Sequence, residues 1–303
     1  MAYQTGTASS FSDLVTTIQT FATGNGWTLS GTVLYKSANA YTELSSDTTN
    51  LYILGGTGES GGSLTGASSE YARIGTAAEA INWPANYYLF AHTSPDEIIC
   101  IFNHDSVWFQ WLAFGVVDKL GTWNGGNWFG ATLQETAPLN QQAFTATDGY
   151  SWQTGNPTAH TMPSWAPWWR TDGGYPTYKA NCQIYCDLDA NTWVSNTSND
   201  PGAVYSAPLM SPLVARSKST WNEQAVLVNP ILAMDRPSGF KSVIAQLPHF
   251  RWLRIDNYAP GDIITIGSDE WMVFPFHKKD LDDTSPYSAN TGPYGWAIAY
   301  DGP

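Results

Sequence analysis

Apolar residues return at spacings of three and four between positions 11 and 23, where Phe11, Leu14, Val15, Ile18, Phe21 and Ala22 form one stripe. The pattern predicts an amphipathic helix, started by Ser10 or Ser12 and stopped by Gly24-Asn25-Gly26. Beyond it the period shortens to two. Trp27-Thr28-Leu29 and Thr32-Val33-Leu34-Tyr35 predict a hairpin around Ser30-Gly31, and short aromatic and β-branched runs predict strands over 41–44, 51–54, 87–92, 98–103 and 108–114. His92-Thr93-Ser94-Pro95-Asp96-Glu97 and Asn103-His104-Asp105-Ser106 carry turn chemistry, so 87–117 reads as a three-stranded antiparallel meander.

Between 121 and 177 the periodicity disappears, and Trp, Gly, Pro and Thr dominate. A stretch of this length without a period predicts a functional loop or an interface arm, too aromatic for a free linker. Strands are expected again after it. Asn181 to Leu188 alternates, Ala203 to Leu213 reads as an extended arm, and Asn222 to Met234 contains the run Gln224 to Val228 before Pro230. Gly261 to Phe276 forms the best hairpin, two strands around Gly267-Ser268-Asp269-Glu270. The expected fold is mainly β with a short N-terminal helix (α+β), in antiparallel sheets or a sandwich with long aromatic-rich loops. The expected regions are 1–120, helix plus antiparallel sheet; 121–177, aromatic arm; and 178–303, C-terminal β region, all three compatible with one continuous domain.

Composition narrows the function. With 43% hydrophobic residues the chain has material for a sizeable core, while only 13% are charged, about half the usual share. Such a surface suits a protein that hides in an assembly. A net charge of −13, with Lys278-Lys279 and Arg251/Arg254 as the densest basic groups, predicts no nucleic-acid partner. Met1 to Gly6 lacks the basic start and apolar run of a secretory signal, and no segment approaches the ~20 apolar residues that cross a bilayer. Synthesis in a cytoplasm without membrane insertion is expected, and three cysteines argue against a disulfide framework.

Each candidate for chemistry meets a simpler explanation. Cys182 and Cys186, with His160 and His249, suggest zinc, but on one strand the two sulfurs would stand about 13 Å apart, against the ~2.3 Å bond that each needs to a single ion. Asp187 and Asp189 have a spacing that glycoside hydrolysis could use, yet they sit where a strand ends, and a solvated strand end explains them. His104-Asp105 reads as a turn that satisfies backbone groups rather than an oriented imidazole. Gly55 to Gly62 lacks the Lys-Ser/Thr of a phosphate loop and reads as a flexible surface loop. No catalytic residue, metal or cofactor is assigned. The aromatic belt remains: Trp123, Trp128, Phe129, Trp152, Trp165, Trp168, Trp169 and Tyr175. Trp and Tyr carry much of the energy at interfaces, so Trp123, Trp128, Trp165, Trp168, Trp169 and Tyr175 are the candidate interface or glycan contacts.

Three blocks resemble a known family. The helix end Phe21 to Thr28, His92 to Glu97 followed by Gln110 to Gly115, and Trp271 to Pro275 with Lys278-Lys279 resemble minor structural proteins of tailed bacteriophages, of tail-tip, baseplate or connector type. The matching segments cover about a third of the chain. The resemblance implies a virion structural subunit without catalytic residues, whose partners are copies of itself and neighbouring virion proteins. A receptor- or glycan-binding module of the tail, meeting the host surface, is the alternative; a glycoside hydrolase is a remote third.

Overall fold

Ser10 opens the helix. In the computed structural model, which describes residues 1–37, 39–76, 80–134, 182–187, 192–195, 204–206, 225–235, 241–279 and 294–302, α1 spans Phe11–Gly24. The Ser10 hydroxyl accepts from the Asp13 amide N–H at 3.1 Å, and the Asp13 carboxylate accepts from the Ser9 amide and hydroxyl at 2.8 and 2.9 Å. These bonds satisfy donors that every helix start leaves open. At the other end Trp27 N–H donates to the Ala22 carbonyl and Gly26 N–H to that of Thr23, a Schellman arrangement that places Gly26 at φ +84°. The stop turns Trp27 inward, where its ring meets Phe114 edge-on at 5.2 Å.

The other elements among the described residues are strands. β1 (Ala2–Ala8) precedes the helix; β2 (Thr28–Ser30), β3 (Val33–Lys36), β4 (Ala40–Ser46), β5 (Asn50–Gly56), β6 (Gly58–Ser60), β7 (Ser63–Thr65) and β8 (Ala72–Gly75) follow it. Next come β9 (Ala85–His92), β10 (Glu97–His104), β11 (Trp108–Val116), β12 (Asp118–Lys119), β13 (Asn124–Ala131), β14 (Leu133–Gln134), β15 (Cys182–Asp187) and β16 (Thr192–Ser195). The last are β17 (Val204–Ser206), β18 (Ile231–Asp235), β19 (Lys241–Gln246), β20 (Phe250–Arg254), β21 (Ile263–Ile266), β22 (Asp269–Pro275) and β23 (Tyr294–Tyr300). The fold is mainly β, with a short N-terminal helix. The described residues fall into two compact units, one within Met1–Leu139 and Asn181–Ser195, the other within Asn196–Asp301.

The first unit is a two-sheet sandwich. One sheet runs β1-β9-β10-β11-β13-β15-β16 and the other β14-β8-β5-β4-β3-β2, and each neighbouring pair is antiparallel. The predicted meander is its centre, with Ile98 opposite both Ala91 and Phe114. Leu89, Cys100, Phe102, Leu112 and Phe129 of the first sheet share a core with Leu34, Leu44, Leu51, Ile53 and Ile74 of the second, and α1 adds Phe11, Leu14, Ile18 and Phe21. The opposite face of the first sheet is buried as well, since Phe90, Ile99, Ile101, Trp111, Ala113 and Trp128 are at most 2% exposed. Strands buried on both faces lose the alternation of a half-exposed sheet. That is why β10 reads Glu-Ile-Ile-Cys-Ile-Phe-Asn-His, with all eight residues buried.

Side-chain amides join the two sheets where backbone ladders stop. The Gln110 amide on β11 accepts from Gly75 N–H at 2.8 Å through Oε1 and donates to the Gly75 carbonyl at 2.7 Å through Nε2, closing β8 as an added strand would. From β13, Asn127 Nδ2 donates to the carbonyls of Tyr41 and Gly56, at 3.1 and 2.7 Å. Tyr41 and Gly56 face each other across β4 and β5. Thr132, where the chain leaves β13 of one sheet for β14 of the other, bonds Trp111 through its hydroxyl and its amide.

Two sequence expectations are corrected in this unit. Gly55–Gly62 is not a loose surface loop: β5 runs through Gly56, β6 begins at Gly58, and Gly55 is hemmed in by the Phe129 and Trp193 rings, which leave no space for a Cβ. Residues 124–131, expected inside an irregular arm, are the interior strand β13. Gly125 and Gly126, at φ +85° and +100°, form a bulge that shifts the register before Trp128. The strand looks like a turn because its glycines serve the bulge.

In the second unit the described strands β20-β23-β22-β21 form one antiparallel sheet, and β17, β18 and β19 pair in order. Leu253, Ile255, Ile264, Trp271, Val273 and Ala297 form a core. Arg251 lies over the Trp271 ring at 4.3 Å while its Nη1 donates to the Pro248 and Phe250 carbonyls at 2.7 Å. The desolvated cation thus keeps both a π face and hydrogen bonds. Within Asn222 to Met234, expected to return to strand, Val228 makes a bridge to Trp252 and β18 begins at Ile231, after Pro230, while 222–224 lie outside the described residues.

Replacing Gln110 by Leu leaves the buried Gly75 N–H and C=O without their side-chain partners. The variant is expected to lose about 2 to 4 kcal/mol of folding stability, measured by urea titration. A loss below about 0.5 kcal/mol would show that the amide is not what closes β8.

Candidate functional site

The β21–β22 hairpin places exposed apolar residues on an end strand among the described residues. Ile266 and Asp269 are register partners, so Gly267 and Ser268 form a two-residue loop, with Gly267 first at φ +66° as such hairpins require. Asp269 and Glu270, expected in the turn, belong to β22. Asp262 fixes the entry: its carboxylate accepts from Ala259 N–H at 2.7 Å and its carbonyl from Val273 N–H at 2.8 Å.

Within this hairpin burial divides sharply. β22 buries its last five residues, and on β21 only Ile264 turns into the core. Ile263, Thr265 and Ile266 are exposed, each of the two isoleucines to 46%, although Ile263 and Ile266 lie on opposite faces of the strand. β21 is the end strand of its sheet among the described residues. An uncharged end strand that displays β-branched apolar residues is the kind of edge to which another strand adds, because it offers backbone donors and acceptors together with an apolar surface.

The predicted aromatic contacts separate. Trp128 is 0% exposed within β13 and is a core residue, not a contact. Trp123 is half-buried, with Lys119 Nζ 4.9 Å above its ring and bonded to its own carbonyl at 3.1 Å, so one face of the indole already carries a cation. Phe129 packs edge-on to Trp193 at 5.4 Å inside the sandwich. Trp152, Trp165, Trp168, Trp169 and Tyr175 lie outside the described residues.

His104 requires another correction. It ends β10 rather than sitting in the turn; its ring is 1% exposed, and Nδ1 lies 3.3 Å from the Asp105 carboxylate. Asn82 donates to the other Asp105 oxygen at 2.7 Å. The imidazole is therefore oriented by the acid. Its Nε2 faces Gln110 Nε2 at 3.5 Å. Burial pushes the imidazole below the ordinary histidine range, against the opposing pull of Asp105. A histidine kept neutral with both nitrogens facing structural groups has the chemistry of a packing element.

The remaining chemical candidates are described only in part. Cys182, Cys186 and Asp187 fall on β15 as expected, and Asp187 is its last residue. Asp189 and His160 lie outside the described residues, and His249 is half-buried just before β20. Among the described residues no three His, Cys, Asp or Glu side chains converge as a metal site would need. No protein-family model matches the chain, and no curated protein matches it.

Truncation separates core from surface rings. Trp128→Ala is expected to cost about 3 to 5 kcal/mol and Trp123→Ala about 1 kcal/mol or less, read from thermal melts. Similar losses at both positions would contradict the division drawn here.

Proposed function

We propose that the chain is a structural subunit of a tailed-phage virion, in the tail tip or baseplate, that works by self-assembly and by contacts with neighbouring virion proteins and performs no catalysis. The observation that carries the assembly reading is β21, an end strand among the described residues on which Ile263, Thr265 and Ile266 are exposed. Adding a strand from a second copy would cover both isoleucines and pair the outer backbone groups, while the low charge of the chain removes much of the repulsion that ordinarily guards an edge.

The phage assignment rests on the resemblance. Its segments occupy positions that set the fold: the Schellman stop and Trp27, the β9–β10 turn, the part of β11 that begins at Gln110, and the interior half of β22. A sequence likeness at such positions concerns architecture rather than a reaction.

Sedimentation velocity across a concentration series tests the assembly, and mass spectrometry of purified particles tests the location. The wild-type chain is expected to associate, and the doubly substituted Ile263→Lys/Ile266→Lys chain to remain monomeric with an unchanged melting temperature, because lysine on an edge strand blocks addition. A wild-type chain that stays monomeric at high concentration and is missing from particles would overturn the reading.

A further inference from the structure

His104, Gln110 and Gly75 form a chain of contacts with only one consistent assignment of protons. The Gly75 backbone fixes the Gln110 amide, because its N–H must face Oε1 and its carbonyl must face Nε2. Gln110 therefore turns an N–H toward His104 Nε2, 3.5 Å away, and that nitrogen must be the acceptor. The ring proton then resides on Nδ1, where it meets Asp105 at 3.3 Å. Every group has a partner only while His104 is neutral.

We propose that these three residues are an acid-sensitive latch that holds β8 of one sheet to β11 of the other and opens when His104 takes up a proton. A proton on Nε2 brings two donors face to face. Rotating the Gln110 amide relieves that clash, but then Oε1 meets the Gly75 carbonyl and Nε2 meets its N–H, so both bonds to β8 are lost. Either outcome loosens the link.

The surroundings give the imidazolium little alternative support. From its own turn Asp105 is the one charged group acting on it. β11 contributes Gln110 and its register partner Trp108; β8 contributes Gly75, while Arg73 on the same strand is bound to Asn50. From the remaining sides Phe102 stacks on the imidazole at 5.7 Å, and Phe11 and Trp83 pack against Phe102. The direction of the effect follows. The closed state resists the proton, whereas an opened state accepts it near the ordinary value of about 6.5. The latch is thus fully closed above that pH and weakens as the pH falls through the interval down to the closed-state value.

Two measurements on the full chain test this: nitrogen NMR of histidine-labelled protein, where five histidines give few signals, and amide exchange corrected for its intrinsic pH dependence. At about pH 7.5 His104 is expected as the Nδ1–H tautomer. Between there and about pH 5 the protection of the Gly75 amide is expected to fall about tenfold or more and to level off where His104 itself titrates, while the Val273 amide of the other unit keeps its protection. His104→Gln should abolish the pH dependence at Gly75. Should that variant not fold, the levelling-off of wild-type Gly75 protection at the His104 titration decides. The latch is overturned by an Nε2–H tautomer at neutral pH, by Gly75 protection that ignores the His104 titration, by parallel loss at Val273, or by a His104→Gln chain that loses Gly75 protection as the wild type does.

Discussion

A fold made of short strands depends on how it treats the backbone groups left over where each ladder ends. Inside a sandwich those groups are out of reach of water, and each one left bare costs on the order of 1 to 3 kcal/mol. Here the remedy is a side-chain amide sent across from the facing sheet. Gln110 supplies a donor and an acceptor to Gly75, and Asn127 supplies donors to Tyr41 and Gly56. The relative setting of the two sheets is thereby specified by hydrogen-bond geometry, where apolar contact alone would permit sliding. Gly55 repeats the theme in steric form, since Phe129 and Trp193 close over it and accept nothing larger.

Much of this was legible from the sequence. The helix was visible because a stripe, a cap and a stop agree, and the meander because strongly apolar strands alternate with turn residues. Other elements were hidden for definite reasons. β1, Ala-Tyr-Gln-Thr-Gly-Thr-Ala, is polar because it lies at the end of its sheet, and its glycine sits against the Tyr87 hydroxyl. β13 was obscured by glycines that build a bulge, so Trp128 looked like a contact when it is core. Burial in β strands is set by neighbours far away in the chain, and a local window cannot register them.

The candidate site was partly legible. The hairpin containing β21 was evident from its turn, and alternation separates Ile263 from Ile264, but Ile266 shares a face with Ile264 and nothing local shows that only Ile264 is buried. His104 shows the same limit. Its neighbour Asp105 is adjacent in sequence, whereas Gln110 matters only because Gly75 of β8, 35 residues earlier in the chain, comes to lie beside it.

The two-sided burial of β10 has a consequence for how such a chain can change over time. A half-exposed strand offers every second position to drift. β10 offers none: its eight residues are enclosed, and its neighbour β11 is nearly so. Substitutions tolerated in this unit should therefore collect at exposed positions of end strands such as β2, leaving a centre whose shape would outlast its letters.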